Sequence, residues 1–435
     1  MPIASVSEQQ PHRSMSCRDP RRRQRRRCWP IALIVGAGLI SGCSSTNSPT
    51  TVLRVARTLP GNDKVTSADN ARERRMLRIF KANIQEVIPG LHIQPSVYTE
   101  SAIKTELRRQ TNSGLGPDLV ISDASTIQNL FQANLLEPVP LTQQQRNAVS
   151  PSLLKRVTNA KGDITGLPVS QFVQLACYDK RKIKSAPTTL KALAEASGRG
   201  QIFGLTQAFE DLYWSMGSFN AGPALVSSLR GNKPTAAQTH QLVQWLSWLR
   251  DTSFQQNVMF LRNQSKLRRQ LIKGELHWIS CWSSQLPELR DALKENLGIG
   301  LLPAGPAGKA TPISKLQVWG LGRNSSRQQR HSSEELMEFI VQPWAQKTWT
   351  LRYRTTYPVN PAAASIVDHQ IPGIEDLYLT TAKQGILVGD EIVAALDADA
   401  ALTNAFQDVL NDVIFGTEPP AKAAAKLHTL LSPST

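Results

Sequence analysis

The 435-residue chain carries 50 lysines and arginines against 34 acids, a formal charge of +16, with 40% hydrophobic residues and five cysteines. That length exceeds what one hydrophobic core usually supports, so two lobes are expected. Five cysteines are no disulfide framework in so long a chain, and the basic residues form small scattered clusters without the interleaved aromatics that stack bases, so no nucleic-acid partner is expected.

The first readable segment, RRRQRRRCWPIALIVGAGLISGCSSTNSPTT at residues 21–51, sets arginines ahead of an apolar run from Trp29 to Ile40. Spanning a bilayer takes about 20 residues, so this shorter run fits an export signal better than a permanent span. The arginines hold the N-terminus on the cytoplasmic side. Ile40-Ser41-Gly42-Cys43 resembles the lipobox of bacterial lipoprotein signal peptides. What that resemblance implies is cleavage before Cys43, a diacylglyceryl thioether on its sulfur and a membrane-held protein, with 1–42 as signal and 43–51 as a flexible tether. Residues 1–42 hold eight arginines against Glu8 and Asp19, so +6 of the +16 belongs to targeting. After processing, Cys177 and Cys281 remain beside the lipidated cysteine. Both lie in apolar strand-like stretches, VQLACY and HWISCW, where buried free thiols are the plain reading and a disulfide the alternative.

From Val52, TVLRVART reads as a strand and SADNARERRMLRIFKANIQEVIPG as an amphipathic helix, with Ser67 or Asp69 to cap it and Pro89-Gly90 to stop it. LHIQPSVY places Leu91, Ile93 and Val97 on one strand face. Residues 101–112 read as helical, PDLVIS as a short buried strand, 125–133 as a helix and LLEPVPL as turn-rich. Between Gly166 and Pro306 the strand-like VQLACY, IFGLT, LHWISCW and GIGLLP alternate with helices near 188–197, 235–250, 263–273 and 285–295. LQVWGLGR and a helix over 332–349 precede a largely helical C-terminus. This alternation predicts an α/β fold of mostly parallel sheets with flanking helices.

Several marks in this order resemble the extracytoplasmic solute-binding proteins of the maltose-binding-like, type 2 class that serve ABC importers. They are GPDLVISDASTIQNLFQANLLEPV, KGDITGLPVSQFVQLACYDKRKI with APTTLKAL, LIKGELHWISCWSSQL with LGIGLLPAGPAG, and EELMEFIVQPWAQKTWTLRYRTTYPVNPAA. The likeness runs from Val52 to about Leu430. Asp179 stands where the family usually has Asn, Thr189 where it has Trp, and HWISCW where small residues are common. The resemblance implies a two-lobed periplasmic-binding-protein type 2 fold with hinge crossovers near 166–171, 312–321 and 354–360. Lobe 1 would span 52–168 with 320–352 returning to it, and lobe 2 would span 169–318 with 358–435 returning. It further implies a monomer on the periplasmic or extracytoplasmic face that captures a small solute and meets ABC permease subunits, with no cofactor, no metal and no enzymatic activity.

Ligands of open α/β sheets bind beyond the carboxyl ends of the strands. Ser122, Asp123 and Ser125 follow the strand DLVI and precede a helix, where they could bond a polar solute or cap the helix. Sugars present apolar faces ringed by hydroxyls, so aromatic platforms with polar neighbours are expected. FEDLYWSM offers Glu210, Asp211, Tyr213 and Trp214 in a segment that the resemblance makes ligand-facing. Trp282 matches a family position where tryptophan stacks on ligand, and Trp319 joins the candidates. Trp278 is assigned to the core, and Trp245, Trp248, Trp344 and Trp349, on helices, to packing. A sugar or polyol is the expected solute, and the basic charge keeps an anionic solute open. From other classes, an exported hydrolase or a sensory lipoprotein remains. The chain lacks Gly-x-Ser-x-Gly, His-Glu-x-x-His and Walker-type motifs, GIGLLPAG has Pro303 in place of a third glycine, and the seven histidines lack metal-ligand spacing.

Overall fold

The computed structural model describes residues 50–59, 62, 64–353, 355–368 and 389–433. The signal segment, Cys43 and most of the tether lie outside these. The strands are β1 (Thr51–Leu59), β2 (Leu91–Thr99), β3 (Leu119–Asp123), β4 (Leu136–Glu137), β5 (Leu167–Phe172), β6 (Gln174–Asp179), β7 (Phe203–Thr206), β8 (Val258–Leu261), β9 (Trp278–Trp282), β10 (Leu297–Gly300) and β11 (Lys315–Gly322). They form two sheets, one ordered β2-β1-β3-β11-β4 with β5 also on β11, the other β10-β6-β9-β7-β8. In the first, β1 runs parallel to β2 and β3, whereas β11 is antiparallel to β3 and β5. In the second, β7 is parallel to β8 and β9, and β6 is antiparallel to β9 and β10.

Helix α1 (Ser67–Val87) starts from a cap one residue earlier than expected. Thr66 accepts from the Asp69 backbone N–H at 3.2 Å, and Asp69 accepts from that of Thr66 at 3.0 Å. This reciprocal pair satisfies two donors that the helix cannot, which corrects the assignment of the cap to Ser67 or Asp69. The helix expected over 332–349 is two helices, Arg327–Ile340 and Pro343–Tyr353. Pro343 has no N–H to continue the first and suits the opening turn of the second.

Period-two alternation gives the second sheet two buried faces. Ala176, Tyr178, Phe203, Trp278 and Trp282 enter one cluster together with Trp245, Leu246 and the C-terminal Phe406 and Leu427. Leu175, Cys177, Ile279 and Cys281 enter another, with Leu267 and Leu289. Cys177 and Cys281, on paired strands β6 and β9, are joined as a disulfide with their Cα atoms 5.8 Å apart, so the plain reading of two free thiols is corrected. The first sheet has its own core around Leu53, Ile103, Ile127 and Leu336.

The chain passes between sheets at Val173, between β10 and β11, and at 355–360. These passages lie side by side. Lys315 on β11 pairs with Phe172 on β5, and Gln171 exchanges backbone hydrogen bonds with Tyr357 at 2.9 and 2.7 Å.

Candidate functional site

The parallel strands of both sheets send their carboxyl ends toward the region between the sheets, and antiparallel β11 sends its amino end there, because Gln317 lies opposite Asp123. From the first sheet come Thr58, Glu100 at the start of helix α2 (Glu100–Asn112), Ser122 and Asp123. From the second come Glu210 and Asp211, just beyond β7, and Trp282 at the end of β9.

Asp123 is the N-cap of helix α3 (Ala124–Gln132) and accepts from the Thr126 backbone N–H at 2.9 Å, the Thr126 hydroxyl at 2.7 Å and the Ser125 hydroxyl at 2.9 Å. Ser125 is therefore inside the helix, and the capping role considered for it belongs to Asp123. Ser122 pairs its hydroxyl with that of Thr58 at 2.7 Å. Asp211 accepts from the Trp282 indole N–H at 2.5 Å and the Thr206 hydroxyl at 2.8 Å, while its carbonyl accepts from the Gln174 amide at 2.7 Å. Lys315 stands between the two halves, 3.3 Å from Glu100 and 3.5 Å from Glu210. One ammonium thus faces four carboxylates.

Burial works against the charge of Asp123, yet Lys315 and the bonds from Thr126 and Ser125 outweigh it and hold the carboxyl down at about 2. Glu100 goes the other way: burial pushes it up to about 7, with Asp123 and Glu210 adding and Lys315 opposing. Burial also raises Asp211, against its bonds from Trp282 and Thr206. Burial opposes the Lys315 charge as well, but Glu100, Glu210, Asp123 and Asp211 keep the ammonium well above its ordinary value. Beside this group Arg156 donates to the Ser314 carbonyl at 2.8 Å and lies 3.5 Å from Asp397, which burial pushes up to about 7.

Towards the other side, a cleft is lined by Arg57, Arg72 and Glu73 from one half and Arg268, Gln285 and Glu288 from the other. Its cations are paired: Arg57 with Glu73 at 2.8 Å and Arg268 with Glu288 at 2.8 Å. Arg268 also donates across the cleft to Asn62 at 2.8 Å, tying the halves together.

Ser122, Asp123, Ser125, Glu210, Asp211 and Trp282 are thus brought to the region between the sheets, although Trp282 is 5% exposed and holds Asp211 rather than standing free. Tyr213 and Trp214 are elsewhere. Trp214 is 0% exposed and both lie in the core of the second sheet, because the short helix Trp214–Phe219 has core on nearly every side. Trp319 is 5% exposed, packed on the first sheet against Phe80. Trp278 and Trp245 are in the core as expected, but Trp344, expected to pack, is 59% exposed beside Phe339. Glu100, Lys315, Arg156 and Asp397 went unnoticed from sequence. Glu100, directly after strand β2, was accessible to the strand-end argument, whereas Lys315 opens an antiparallel strand and was not. Among the described residues no cluster of His, Cys, Asp and Glu is arranged to hold a metal ion, and no helix is long and apolar enough to cross a membrane.

The chain resembles solved structures over most of its length. MalX from Streptococcus pneumoniae in complex with maltopentaose matches 87% of this chain and 99% of its own at 17% identity and a TM-score of 0.65. An ABC transporter solute-binding protein from Thermotoga lettingae bound with α-D-tagatose matches 88% of this chain and 100% of its own at 14% identity and a TM-score of 0.66. The maltose-binding MalE of Listeria monocytogenes matches 87% and 96% at 16% identity and a TM-score of 0.61. At such identities the likeness shows the two-lobed fold. No curated protein sequence matches. The model of the bacterial extracellular solute-binding protein family matches residues 82–372, two thirds of the chain, and the protein belongs to that family.

Proposed function

We propose that the protein captures a neutral sugar or polyol between its lobes and presents it to an ABC permease. The observation that carries this is the hydroxyl- and carboxylate-lined group around Asp123 and Glu210, in which acceptors outnumber donors. Polyol hydroxyls are donors that such acceptors can bond. An anionic solute would meet four carboxylates and one lysine already held by two of them, so the basic overall charge does not reach the site. The adjacent passages at Phe172, Lys315 and Tyr357 suit a hinge. Because β5 and β11 belong whole to the first sheet, the chain divides between lobes near 173, between 300 and 315, and near 355, rather than at the expected 169 and 319. Closure selected by ligand then gives the permease one form to recognise. These groups bind and do not cut in this reading.

The test is Asp123→Asn, which keeps the helix cap but removes the charge. Affinity for the polyol that the wild type binds should fall about tenfold, roughly 1.4 kcal/mol. Unchanged affinity would remove Asp123 from the site.

The lipid anchor on Cys43 belongs to the same reading, because several acyl chains on one cysteine hold a protein where one chain does not. The buried disulfide supports an oxidising, extracytoplasmic setting. Detergent-phase partitioning of the exported chain should move to the aqueous phase in Cys43→Ser, and persistence in detergent would refute the anchor.

A further inference from the structure

A row across the first sheet, Val97 on β2, Arg57 on β1, Ile121 on β3 and Trp319 on β11, faces helix α1. Met76 and Phe80 of that helix and Trp349 of Pro343–Tyr353 roof the row without filling it, leaving a small cavity. Apart from the Arg57–Glu73 pair and Gln317, its walls are apolar, and it shares Arg57, Glu73, Met76, Gln317 and Trp349 with the cleft between the lobes. The cavity thus opens towards that cleft, and Gln317, which lines both, lies opposite Asp123 in the register of β11 and β3.

Two facts mark it as built for an occupant. The indole N–H of Trp319 and the Nε of Arg57 are buried with no hydrogen-bond partner among the described residues, a costly arrangement that an incoming acceptor would relieve. Ile93, which also packs against the first-sheet core, and Val97 line the space and stay half-buried, so part of their apolar surface is open to an occupant. Apolar walls with a few placed donors are the composition of a ligand pocket.

We infer that this cavity is a subsite for an apolar substituent, aryl or branched alkyl, joined through an oxygen that accepts from Trp319. It rests on the polyol reading for the other half of the ligand, which makes the natural solute a polyol glycoside or ether with an apolar aglycone. Filling the cavity removes the subsite, and removing the indole N–H removes the preference for oxygen.

The experiment is ¹⁹F NMR titration of the full chain with 4-fluorophenol and with 4-fluorotoluene, its match without the oxygen, beside a titration with free polyols. The expected result is saturable 4-fluorophenol binding at least fivefold tighter than that of 4-fluorotoluene. Val97→Phe or, should that variant fail to fold, Ile93→Phe weakens it at least tenfold, and Trp319→Phe equalises the two probes. An aryl glycoside of whichever polyol binds should bind at least tenfold tighter than the polyol itself. Non-saturable binding of 4-fluorophenol, or binding that survives the filling variants, overturns the subsite while leaving polyol capture standing. Binding of 4-fluorophenol lost on filling, with no polyol bound, upholds the cavity and overturns polyol capture.

Discussion

Lys315→Met should cost about 3–5 kcal/mol of stability at pH 8, the range for removing one partner of a buried pair, and far less at pH 5. Methionine keeps most of the stem's packing but leaves Glu100, Asp123, Glu210 and Asp211 facing one another without their shared cation. At pH 5 protons take the place of the ammonium. The wild type already leans this way: Glu100 moves from 4.5 to about 7 and Asp397 from 3.8 to about 7 on folding, so the native state binds more protons across that window. Wild-type stability from these groups therefore falls as pH rises from about 4 to 7. Asp123 acts in the opposite sense, dropping from 3.8 to about 2, so its contribution is lost as pH falls through that interval. Wild-type stability should peak near pH 4–5, and the gap between the variant and the wild type should widen towards alkaline pH. Urea unfolding at pH 5 and pH 8 measures both, and an equal loss at the two pH values would contradict the assignment.

Cys177→Ser with Cys281→Ser should cost about 4.7 kcal/mol on the chain-entropy account, because the bridge closes a loop with a sequence separation of 104. It also sits in the cluster around Leu267 and Leu289, where two hydroxyls would be buried among apolar side chains. Both effects act in the same direction. Comparing unfolding midpoints of the oxidised wild type, the reduced wild type and the double variant separates them: reduction alone should give most of the loss. A reduced wild type as stable as the oxidised one would show that the bridge adds nothing.

The α/β alternation was legible because strands such as β3 and β7 are separated from the next helix by at most two residues. The short β8 escaped: four residues, VMFL, half of them partly covered, carry no clear period. Tryptophan identity was legible at Trp214, but not its place. In a short helix buried on nearly every side no polar face exists, so neither amphipathic spacing nor its absence separates a ligand platform from core. Trp344 failed in reverse, since helical spacing alone cannot tell which neighbour is missing. Three of the four carboxylates were readable, because Asp123 ends a parallel strand and Glu210 and Asp211 follow one. Lys315, which balances it, depends on the antiparallel return of β11 and thus on topology. The Arg156–Asp397 pair joins residues more than two hundred positions apart, a contact with no local signature.

Thermal unfolding of the full chain against sugars, polyols, phosphorylated polyols, amino acids and polyamines tests solute capture most directly. A neutral sugar or polyol at 100 times its dissociation constant should add about 2.7 kcal/mol, a rise of roughly 3–5 °C in a chain of this size. A shift confined to anionic compounds, or none with any sugar or polyol, would contradict the account.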